Sequence, residues 1–171
     1  GYWSRGLGDV YKRQVPWIEK TLLAGFTTVR DVGGEVVLAA RNAVNNGYIK
    51  GPRIFSAGRS IGTTGGHADP SSGLNRKFRG NPGPYEAVVN GVDDAIKAVR
   101  QRYKDGSDLI KITATGGVLS VAKNGQNPQF TEEEIRAIVE TANDYEMHVA
   151  AHAHGVEAVS YTHLTLPTNS N

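Results

Sequence analysis

Apolar positions between Val15 and Ala158 switch repeatedly between helical spacing and short continuous runs. Pro16 suits a first helical turn, Ile18, Leu22 and Leu23 give one apolar face, and Gly25 suits the stop. Phe26–Val32 then reads as a strand ending at Gly33-Gly34. A helix is predicted over about Glu35–Asn46, with Val36, Ala40 and Val44 on one face. Pro52–Gly58 is the next strand. Gly62–Pro84 is a long loop rich in Gly, Pro, Ser and Asn, a length that in a domain is usually functional or disordered. A third helix is predicted over Tyr85–Tyr103, through Val89, Val92, Ile96 and Val99, followed by an apolar strand over Asp108–Ala114. After a second Gly/Asn-rich loop, Gly116–Pro128, the run Thr131-Glu132-Glu133-Glu134 is a capping-box pattern for a helix facing inward through Ile135, Ile138, Val139 and Ala142. A last strand runs from His148 to about Ala153, and Gly155 begins another helix-like stretch. This is an α/β chain of about four βα units. Its short apolar strands suit a parallel sheet covered on both faces. The pattern alone fits half of an eight-stranded barrel or half of an open doubly wound sheet.

The chemistry sits at strand ends. Alternation along Asp108–Ala114 puts Leu109, Lys111 and Thr113 on one face and Ile110 and Ile112 on the other. A lysine within an apolar strand is costly unless its charge is altered or paired, although one near a strand end can also snorkel to water. His152 and His154 lie near the end of the following strand, on the same face as Ala150 and His148. A lone histidine is usually structural, but two at a strand end make candidate metal ligands, because neutral imidazole binds zinc. His148 starts the strand and reads as structural. His67, in Gly65-Gly66-His67-Ala68-Asp69, is either a substrate contact or an exposed loop residue. No phosphate-binding glycine loop is present.

The strand Ile-Lys-Ile-Thr-Ala-Thr-Gly-Gly around Lys111, together with His-Val-Ala-Ala-His-Ala-His-Gly at 148–155, resembles the amidohydrolase superfamily. The likeness is strongest to its imidazolonepropionase-like branch, which includes metal-dependent dipeptidases. Thr-Thr-Val-Arg-Asp-Val-Gly-Gly at 27–34 and the His67 loop extend it. The resemblance implies a partial (β/α)8 TIM-type barrel, holding the second to fifth strands of a parent barrel. It implies that Lys111 is carboxylated and bridges two Zn2+ ions, other divalent metals also being compatible. His152 is then a metal ligand, with His154 beside it as a ligand or facing substrate, and His67 borders the substrate. Arg30 and Asp31 become structural or pocket-edge residues. The implied reaction is hydrolysis of an amide bond, in a dipeptide or cyclic amide, by a metal-activated hydroxide. The family's His-x-His pair on the first strand, histidine on the sixth and general-base aspartate on the eighth have no counterpart in the sequence, so a fragment without appreciable activity is expected. Two other readings stay open. One is a Schiff-base lyase using Lys111, as in aldolases that place a desolvated lysine on a barrel strand. The other is a non-catalytic barrel.

The termini alter the charge balance. Asp9–Gln14 can be encoded by GATGTGTATAAGAGACAG, and the reverse complement of that DNA preceded by an A, read from its third base, can encode Val159–Leu164. The element resembles the end sequence used in transposase-based library preparation. Residues 1–14 and 159–171 therefore read as translated adapter, leaving 15–158 as the barrel segment. The tails hold Arg5, Lys12, Arg13 and Asp9, so the formal charge of +2 falls to zero without them. The apparent basicity is then no argument for nucleic-acid or membrane binding. No apolar run is long enough to span a bilayer, and the absence of cysteine excludes disulfides and thiolate ligands. The expected partner is a small molecule or dipeptide. Localisation and oligomeric state are left open.

Overall fold

The computed structural model describes residues 14–117 and 125–165, the last five as backbone only. The elements in chain order are helix α1 (described over 14–23), strand β1 (Thr28–Asp31), α2 (Glu35–Asn45), β2 (Arg53–Ser56) and β3 (Gly62–Thr63). They continue with β4 (Val88–Val89), α3 (Val92–Lys104), β5 (Ile110–Thr113), α4 (Glu132–Asp144), β6 (Val149–His152) and α5 (Val156–Thr165). Residues 1–13 and 166–171 of the two tails, and 118–124 of the second Gly/Asn loop, lie outside the described residues.

All strand pairs are parallel: β1 with β2, β3 with β4, and β5 with β6. The segment after β2 carries the hydrogen bonding across to β5. Asp108 N–H donates to the Ser56 carbonyl at 2.8 Å, Ile61 N–H to Lys111 at 2.8 Å, and Thr113 N–H to Ile61 at 3.1 Å. The chain thus runs β1, β2, β5, β6 across neighbouring positions, with a helix in each connection, as parallel strands require. The Asp108 carboxylate reinforces this join: it accepts from Ser56 N–H at 2.8 Å and from the Arg41 guanidinium at 2.6 Å.

The core lies between β5–β6 and helices α3 and α4. Ile61, Val89, Val99, Ile110, Ile112, Ile135 and Ile138 are nearly or fully inaccessible there. Their helical members recur at the spacing that puts one stripe of each helix on the strands.

Two expectations are corrected. The third helix does not begin at Tyr85. Pro84–Glu86 is a 3-10 turn, Ala87 turns left-handed (φ 65°), and Val88–Val89 forms β4 before α3 starts at Val92. Gly91, at φ 95°, is the break: that conformation is open to glycine and ends any helix running through it. The long Gly62–Pro84 loop is not structureless either, since β3 at its start pairs with β4 beyond its end. The helix-like stretch after Gly155 continues as α5 through the Ala158–Val159 junction to Thr165.

The capping box is formed. Thr131 Oγ1 accepts from Glu134 N–H at 3.2 Å, and Glu134 Oε2 accepts from Thr131 N–H at 2.8 Å. The other carboxylate oxygen accepts from Gly91 N–H at 2.6 Å, so one buried glutamate holds the N-termini of both α3 and α4. Thr131→Ala is expected to lower stability by about 1 kcal/mol. Glu134→Ala should cost more, because it strands two amide donors instead of one. Urea unfolding of the two variants would show the opposite order if Glu134 were only a surface charge.

Candidate functional site

Lys111 and His152 project from neighbouring strands on the same side. In the β5–β6 register Lys111 lies beside Ala150 and Thr113 beside His152. Ile110 and Ile112 alternate to the opposite side, into the helix-covered core. Lys111 is half-buried, and desolvation draws its ammonium pKa down. Among the described residues no carboxylate forms an ion pair with it.

His152 is held in a cluster of imidazoles. Its ring centroid is 4.6 Å from that of His154, edge-on, and 5.1 Å from that of His67. Burial lowers the His152 pKa first, and the charges of His154, His67 and Lys111 lower it further. The Gly116 carbonyl, 3.1 Å from Nε2, works the other way. The neutral imidazole is therefore favoured, the form with a lone pair to give a metal. His154 is exposed, and its backbone N–H donates to Thr115 Oγ1 at 3.3 Å.

His67 reaches this cluster from the loop after β3, so of its two sequence readings it is not simply an exposed loop residue. Its Nδ1 is buried without a hydrogen-bond partner among the described residues. Its backbone N–H donates to Gln129 Oε1 at 2.9 Å. Lys111, His152, His154 and His67 are thus brought to one place. His148 is exposed at the start of β6, where its carbonyl accepts from Ile110 N–H. Asp31 accepts from Gly33 N–H at 3.4 Å and Ser56 Oγ at 3.3 Å. Its pKa is raised by burial, which those bonds partly offset, and its partners make it a strand-joining residue.

Three residues that matter to this geometry carried no functional reading in the sequence. A Cβ on Gly117 would sit 2.8 Å from both ring nitrogens of His67, and one on Gly155 would overlap the Gln126 carbonyl. Gln129 ties the His67 loop to the end of β5, where its own N–H donates to the Ala114 carbonyl at 2.9 Å. Glycines beside His and Lys strand ends were the available signal, but the partners they admit come from distant parts of the chain.

Among the described residues no three His, Cys, Asp or Glu side chains gather into a metal cage. The donors present nevertheless fit part of a metal site. A desolvated amine without a carboxylate partner can take up CO2; the His152 imidazole feels its charge, and His154 and His67, with its unpartnered Nδ1, lie against the His152 ring.

The amidohydrolase family profile matches residues 7–166. The chain belongs to the amidohydrolase family. Ochratoxinase from Aspergillus niger is 35% identical over 147 residues, covering 80% of this chain and 30% of that protein. A solved Xaa-Pro dipeptidase with bound methionine in its active site is 55% identical. It superposes with a TM-score of 0.82 over 88% of this chain and 37% of that one. A prolidase complexed with N-methylphosphonate-L-proline is 36% identical, with a TM-score of 0.75 over 90% of this chain and 38% of the other. The chain spans about a third of the length of these amidohydrolase relatives. Its mixed helix–strand fold is theirs over that third. Among the described residues no helix is long and apolar enough to cross a membrane.

Proposed function

We propose that this chain is the segment of a metal-dependent amidohydrolase spanning the second to fifth βα units of its barrel, and that the complete enzyme hydrolyses a C–N amide bond in a small substrate. The observation that carries the reading is the convergence of Lys111, His152 and His67 on one side of paired parallel strands. The likeness to an Xaa-Pro dipeptidase and to ochratoxinase favours a dipeptide, or an amide of an amino acid, as substrate.

In this reading Lys111, His152 and His154 would hold divalent metal, with zinc the first choice for an imidazole and oxygen donor set. The neutral Lys111 amine attacks CO2, forming an N–C bond and releasing a proton to water. The resulting carbamate would be an anionic oxygen donor suited to divalent metal. His152 offers its neutral imidazole, and His67 faces the substrate from the opposite loop. Bound metal supplies Lewis acidity, polarising the amide carbonyl and acidifying water. The Schiff-base alternative finds no support in the family match, and its lysine would have no use for the imidazoles beside it.

The segments 1–14 and 159–171 are proposed to be encoded by adapter DNA, and the 171-residue chain to lack hydrolase activity by itself. Sequencing the source DNA across Gln14–Val15 and Ala158–Val159 checks the first point: native codons in place of both tails are expected, and tail codons found in the genome would refute it. The function is tested on the complete enzyme by elemental analysis and by hydrolysis of an Xaa-Pro dipeptide series. About two divalent ions per chain and release of free proline are expected. A full-length enzyme that takes up no metal and cleaves no amide would end the reading.

A further inference from the structure

The His67 imidazole is far from His152 in sequence, and its loop is long and glycine-rich, yet its position is closely defined. Two contacts define it, and neither comes from its own loop. The first is Gly117. A methyl group there would lie 2.8 Å from His67 Nδ1 and Nε2, closer than real Cβ atoms come to a neighbour, so the ring packs directly against the Gly117 backbone. The second is Gln129, whose Oε1 accepts the His67 backbone N–H at 2.9 Å. Gln129 is itself anchored: its N–H donates to Ala114, and Thr115 bridges the neighbouring Pro128. Ala114 and Thr115 directly follow β5, the strand of Lys111. The same Gln129 oxygen lies 3.0 Å from where a Cβ on Gly66 would stand, so the residue preceding His67 also approaches it closely.

We propose that Gly117 and Gln129 are positioning residues: together they clamp the His67 imidazole against His152, setting the distance between the loop that faces substrate and the strands that hold Lys111 and His152. The proposal rests on the assignment of His67 to the substrate side given above. It assigns to Gln129 the task of carrying strand geometry into the loop through one side-chain acceptor. Glutamate at 129 retains that acceptor and leucine removes it. At 117 even alanine brings backbone-attached bulk into the imidazole.

The test is a double-mutant cycle in the complete enzyme, with KM and kcat for an Xaa-Pro dipeptide and metal content read for each variant. His67→Ala and Gln129→Leu should each raise KM roughly tenfold with metal content unchanged, which for Gln129→Leu is the size of effect one lost hydrogen bond produces. The double variant should be no worse than His67→Ala alone, since the two residues act through one imidazole. Gln129→Glu should restore the wild-type KM, and Gly117→Ala should reproduce the His67→Ala phenotype. Additive effects, or loss of metal in Gln129→Leu, would overturn the proposal. A wild-type enzyme without hydrolase activity would instead defeat the functional reading. The clamp would then be decided by the histidine ring resonances of the 171-residue chain: Gln129→Leu shifts those of His67 and His152 and spares His148, or the clamp does not exist.

Discussion

Lys111→Ala in the complete enzyme is expected to lose its metal and to slow amide hydrolysis by roughly a thousandfold, about 4 kcal/mol of transition-state stabilisation. The size follows from what the side chain replaces. Lys111 is half-buried, its pKa is lowered by desolvation, and no carboxylate among the described residues is paired with it. An unmodified ammonium there would repel the cations the neighbouring imidazoles are suited to hold. On the proposed reading a carbamate would reverse the sign of the charge at that side chain, and truncation would remove the anion. Two accompanying results separate this role from a merely structural one. Metal-free enzyme reconstituted without CO2 should recover slowly, and added bicarbonate should accelerate it. A short carboxylic acid should partly rescue Lys111→Ala by entering the space the side chain leaves. A variant that kept its metal and its rate would show that Lys111 does no more than carry its amine to water.

The sequence made β5 and β6 legible because their signals are local. Ile110, Lys111, Ile112 and Thr113 alternate between a buried and a chemical face within four residues, and the structure keeps that alternation in register with Ala150 and His152. The capping box at Thr131 was legible for the same reason. What could not be read is long-range. Val88 and Val89 satisfy a helical stripe with Val92, but they leave that helix to pair with Gly62 and Thr63. The Asn90-Gly91 pair was the local warning that the helix had to start later. The approach of His67 to His152 has no local signature. It depends on the absence of a side chain at Gly117 and on one amide oxygen at Gln129. Periodicity reports which face a residue takes; it does not report which loop will fold over that face.

The two faces of β5 give the second large effect. Ile112 is fully buried in the cluster formed with α3 and α4, and it bridges Ile61 across the join to β2. Ile112→Ala should therefore cost about 3–4 kcal/mol, from lost transfer free energy and from a cavity that α3 and α4 cannot both close. In the complete enzyme, about three times as long as this chain, this should appear as a melting temperature lower by roughly 4 °C. One position earlier on the same strand the expectation reverses. Lys111→Met removes a half-buried amine from the unpaired face and replaces it with an apolar chain of similar length. It should leave the melting temperature of the metal-free protein unchanged or raised, while eliminating metal uptake. Stability and chemistry would then separate across a single peptide bond, Ile112 holding the strand to its helices and Lys111 serving the site. Calorimetry of the two metal-free variants decides the point. If Lys111→Met destabilised as much as Ile112→Ala, the lysine stem would be part of the core and the assignment of faces to β5 would be wrong.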